Sequence, residues 1–116
     1  MKISEVIRTY GEYVLDLSFL RRHIRDKEEN GACGQIHAVL SDIRKLKEYG
    51  VFTDREYDYI TDKLEILESR VKRKHWKIAN EIYRGTFGDP GVIGNPTYVA
   101  YLIEKRIVMK KKEDMV

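Results

Sequence analysis

Apolar residues spaced alternately by three and four can be hidden together only on one face of a helix. This sequence carries such a run at Tyr57, Ile60, Leu64, Leu67 and Val71. Just ahead of it, Thr53-Asp54-Arg55-Glu56 has the form of a capping box. The threonine hydroxyl accepts from the Glu56 amide, and the Glu56 carboxylate reaches back to the Thr53 amide. Phe52 and Tyr57 sit where a hydrophobic staple would place them. Ile78 and Ile82 extend the stripe. Together these predict one unbroken helix over about residues 53–83, about 45 Å long at a rise of 1.5 Å per residue.

Two further helices precede it. Ser4 and Glu5 suit a helix start, and Ile3, Ile7, Tyr10, Val14, Leu17 and Ile24 form a stripe, with Val6, Tyr13 and Leu20 beside it. Asn30-Gly31 is the predicted stop. A second helix is predicted from about Gly34 to Tyr49, with Ile36, Val39, Leu40, Ile43 and Leu46 facing inward and Gly50 ending it. Both prolines and Gly85, Gly88, Gly91 and Gly94 fall in residues 85–96, which read as successive turns. Asn95-Pro96 then looks like a cap and first-turn proline. Residues 96–110 are predicted helical, although their Tyr, Val and Ile content also suits a strand. Residues 110–116 read as a frayed tail. The expectation is an all-α fold: a small helical bundle of residues 1–116, with one long helix, a Gly/Pro-rich loop and a C-terminal helix.

Charged residues make up 35% of the chain, well above the usual quarter, yet the net charge is only +3. Overall charge therefore names no partner, and local charge matters more. Residues 54–68 hold six acids and two bases, whereas residues 70–77 hold five bases and no acid. Arg70, Arg73, Lys74 and Lys77 fall at helical spacing, with Trp76 among them. Such a stripe is a solvated face, a seam for antiparallel pairing with a second copy, or a contact for nucleic-acid phosphates or an acidic protein surface. Arg21, Arg22 and Arg25 form a second basic cluster, expected first to complement a helix C-terminus and only then to bind a ligand. In the turn-rich loop, Phe87, Val92 and Ile93 must be buried on their own domain or on a partner.

Catalytic and metal signals are sparse. His23, His37 and His75 are far apart, and the one cysteine, Cys33, has no close ligand spacing, so no metal or cofactor is expected. The glycine-rich loop lacks the Gly-Lys-Ser/Thr ending of a phosphate cradle. With one cysteine no intrachain disulfide forms, and no stretch nears the roughly 18 apolar residues of a membrane span. A cytoplasmic protein without a membrane partner is expected.

Arg70-Val71-Lys72-Arg73-Lys74-His75 matches the Arg, four residues, His spacing of the HEPN ribonucleases. That resemblance implies an all-helical RNA-cleaving dimer, with His75 as acid/base and Arg70 as phosphate holder. The family usually has a polar residue after the arginine, whereas Val71 belongs to the apolar stripe. No other constellation implies catalysis. The expectation is a non-enzymatic interaction protein, an adaptor or inhibitor acting on a larger partner such as a nucleic-acid-handling complex, and a homodimer. Direct nucleic-acid binding is the alternative, and the ribonuclease is the third reading. Small, motif-poor helical chains of this kind are frequent among phage and mobile-element accessory proteins.

Overall fold

The computed structural model describes residues 2–110. Five helices follow in order: α1 Ile3–Arg25, α2 Glu29–Glu48, α3 Asp54–Lys72, α4 Trp76–Tyr83 and α5 Pro96–Leu102. Two wider π-helical segments adjoin them, Arg84–Gly88 after α4 and Ile103–Val108 after α5. No strand occurs among the described residues, so the all-α expectation holds. Lys111, Lys112 and the rest of the tail lie outside the described residues.

Short connections fold successive helices back on one another. Antiparallel packing of α2 on α3 brings Lys47 to Asp54 (3.4 Å) at one end and His37 to Glu68 (3.1 Å) nearer the other. α4 returns alongside α3 and also packs on α1, closing a four-cornered bundle. It fills only half of the fourth edge. α5 and its π-helical extension pack on α1 to fill the rest, and Arg106 there bonds Val51 O beside the α2–α3 turn. The result is a rod of 53 × 20 × 20 Å. Tyr13, Leu17, Leu20, Ile36, Ile43, Leu64 and Leu67 fill one shared core. Burying each large apolar side chain contributes about 1.5–3 kcal/mol.

The capping box forms as expected, with Thr53 N donating to Glu56 Oε1 at 2.9 Å and Glu56 N to Thr53 Oγ1 at 3.1 Å. Glu56 does more than cap, because its second oxygen takes Arg106 Nη2 at 3.2 Å. Burial opposes its ionisation, but the bonds from Arg106 and Thr53 overcome this and hold the carboxyl below its usual range.

The long helix predicted over 53–83 is corrected: it stops at Lys72 and a new one starts at Trp76. Continuing the stripe beyond Val71 needs an apolar residue at 74 or 75, and these are Lys74 and His75. The chain turns instead. The Lys74 amide donates to Val71 O and the His75 amide to Arg70 O, both at 2.9 Å, a Schellman stop with Lys74 left-handed at φ 59. The same motif ends α1 at Lys27 (φ 57), earlier than the predicted Asn30-Gly31 stop. Gly31 lies inside α2, where a Cβ would stand 2.4 Å from His23 Nδ1, so this glycine permits close helix packing rather than a turn.

The core stripes also shift. On α1 the buried positions are Val6, Thr9, Tyr13, Leu17, Leu20 and Ile24, which leaves Ile7 54% exposed. On α4 the buried pair is Ala79 and Tyr83, and Ile78 faces outward. The turn-rich loop is shorter than predicted, because Arg84–Gly88 continues α4 as a wide turn in which Thr86 Oγ1 donates to Ile82 O at 2.8 Å. Asn95 caps α5 as expected, accepting from Thr97 N at 2.8 Å, and its amide holds Phe87 O at 2.9 Å.

Candidate functional site

The break in the third helix turns a linear basic stripe into a corner. Arg70 and Lys72 lie in the last turn of α3, Arg73 and Lys74 in the bend, and Lys77 in the first turn of α4. Arg73, Lys74, His75 and Lys77 are all exposed. Lys72 is held by Glu68 at 3.2 Å, whereas Arg73, Lys74 and Lys77 enter no ion pair among the described residues. Three unpaired cations therefore project from one bend, close enough in sequence to act on one anionic surface.

A left-handed lysine is unusual. Glycine takes that conformation without the Cβ clash that costs other residues about 1–2 kcal/mol. Strained backbone of this kind gathers at functional positions. Lys27 shows that the chain makes the same concession once more, at the end of α1. A Schellman stop usually closes with an apolar contact between its flanking residues. Here polar pairs take that place: Arg70 Nη1 stands 3.4 Å from His75 Nδ1, and His23 Nδ1 stands 3.6 Å from Glu28 Oε1.

Trp76 is half-buried and packs against the core. It anchors the corner and is not a free stacking face, which corrects its place in the expected binding surface. Phe87 is also corrected, being only 4% exposed and stacked at a tilt on Tyr83 with ring centroids 5.3 Å apart. Val92 and Ile93 are half-buried, and Ile93 packs against the core. The loop thus buries its own apolar residues, and Tyr13 pins it by a hydrogen bond to Gly94 O.

Arg70 and His75, paired in the sequence by spacing alone, do meet in space. They meet because the helix breaks between them, not because one turn aligns them. Cys33 is half-buried, and burial, with Glu68 beside it, pushes its thiol up despite Lys72. A raised thiol is a poor nucleophile. No cluster of three metal-ligating side chains occurs among the described residues. No helix among them is long and apolar enough to cross a membrane.

Two apolar surfaces are exposed where periodicity alone would bury them. The outer face of α1 exposes Ile7, Leu15 and Phe19, and the groove between α3 and α4 exposes Tyr59, Ile66 and Ile78. Both break the periodicity that assigned apolar residues to the core. The antiparallel pairing of two charged rods also loses its premise, since acids and cations no longer lie at the two ends of a single helix.

No protein-family model, curated protein or solved structure matches the chain.

Proposed function

We propose that this chain is a non-enzymatic interaction protein of the cytoplasm that docks on a nucleoprotein partner, its cationic corner meeting the phosphates. The observation that carries the reading is Lys74. A charged residue occupies a backbone position that suits glycine, at the apex of a bend where Arg73 and Lys77 are also unpaired among the described residues. Clustered cations of this kind bind phosphates by releasing condensed counterions, with no need for a shaped pocket. The corner offers few groups for reading bases, so contact with backbone rather than sequence is the natural role.

Capture from lysate on the immobilised chain tests this. The partner should be lost on nuclease treatment, and lost equally when Arg73, Lys74 and Lys77 are all changed to Glu. A partner that survives both treatments would contradict the reading. The contact between Arg70 and His75 favours one second reading, the ribonuclease. That reading requires RNA cleavage that disappears in His75→Ala while the fold is kept, and the interaction reading requires no cleavage by either chain.

A further inference from the structure

Two further exposed arginines, Arg21 and Arg84, lie beyond the corner. α4 leads from it to a groove of about 400 Å3 between α1 and the π-helical turn. Arg21 and Ser18 of α1 form one wall, and Arg84 and Asp89 form the other. Tyr83 and Phe87 lie at its base, with the Tyr83 hydroxyl spent on Leu17 O at 2.9 Å. Burial pushes that hydroxyl up to about 12, and the neighbouring Arg21 offsets only part of the effect. Both arginines are exposed, and neither enters an ion pair among the described residues.

The groove and the corner share one face. Lys77 of α4 and Arg84 just past its end are seven residues apart, two helical turns, so they project to the same side about 10 Å apart along the axis, with Glu81 between them and beside Arg84. Arg21 reaches the same groove from α1. The π-helical turn matters here, because wide turns of this type recur at functional sites.

Resting on the reading above, the geometry points to an extended track: a phosphate backbone that meets Arg73, Lys74 and Lys77 runs on along the α1–α4 groove to Arg84 and Arg21. Asp89, on the wall with Arg84, and Glu81 beside them repel phosphate and so bound the track on that flank. The aromatic rings are buried and engaged, so bases do not stack on them, and the track grips the sugar-phosphate chain whatever its sequence.

Salt titrations with a fluorescently labelled single-stranded DNA oligonucleotide test the track. In a plot of log affinity against log salt concentration, Arg21→Gln and Arg84→Gln should each flatten the slope by about 0.7, one released counterion's worth on a single strand. Oligonucleotides of different sequence should be affected alike. Arg22→Gln, in a separate groove on the α2 side of α1 with Phe19, Asp26 and Gln35, should leave the slope unchanged. If the two groove variants keep the wild-type slope while the corner triple variant loses it, the track is wrong and the corner stands. If wild type shows no salt-dependent binding, the corner reading fails and the track with it.

Discussion

Lys74 is where structure and proposed function pull against each other. Its left-handed φ of 59 costs stability that glycine would recover. Lys27 provides an internal control, with nearly the same φ of 57 at another Schellman stop. Changing either lysine to glycine should raise stability by about 1 kcal/mol, read from denaturant midpoints at constant m-value. Only Lys74→Gly should weaken nucleic-acid binding. Equal binding by both variants would show that the strain at Lys74 has no functional counterpart. Neither left-handed lysine was legible in the sequence, because residue type points to glycine or asparagine at such a position, and Asn30-Gly31 drew the first stop several residues too late. The capping box at Thr53 was legible because its two hydrogen bonds depend only on residues three apart.

Among the elements, the seam between α1 and α2 carries the least expected chemistry. Asp42 of α2 is 5% exposed, and its Oδ2 finds no hydrogen-bond donor among the described residues. Burial, then the Asp16 carboxyl against it and the charge of Glu12, push its pKa from 3.8 to about 8, with Lys45 offsetting only part. A carboxyl whose pKa is raised on folding stabilises least when ionised. Its penalty is therefore absent below about pH 4, grows as pH rises, and is complete above about pH 8. Asp42→Asn should remove that loss and stabilise the protein at pH 9 by about 1–3 kcal/mol, with little gain at pH 4. Thermal melts at the two pH values check this, and an equal shift at both would refute it. Periodicity revealed that α1 and α2 exist and are amphipathic, but not which α1 residues face which α2 residues. Both Ile7 and Val6 fit a helical stripe, and only packing selects Val6. The split of the third helix was half visible, as a polar interruption at 72–75, but a helix can cross such a gap when other segments cover it. The wide turn at Arg84–Gly88 was hidden because two glycines and a nearby proline mark a turn in any local reading. Asn95 bonds across the loop to Phe87 O and helps hold a helical form there, and no pattern of neighbouring residues records such a bond.

At the scale of the whole molecule, short connections and the bend at Lys74 place these cations at one end of a rod 53 Å long. The turns after α1 and α3 share that end. The α2–α3 turn, with the Glu56–Arg106 pair, lies at the other. All-α class, helix order and the basic cluster were readable in advance, since composition and spacing carry them. The corner itself was not, because it depends on a backbone reversal that turns a stripe into an apex. On the proposed reading, phosphate is met at one end and one flank of the rod. Backbone amide chemical shifts recorded as single-stranded DNA is added to the full chain test this most directly. Perturbations should gather at residues 70–77 and around Arg21 and Arg84, leaving Lys45, Lys47 and Arg55 near the opposite end unmoved. Shifts spread evenly over the surface cations, or centred on that opposite end, would contradict it.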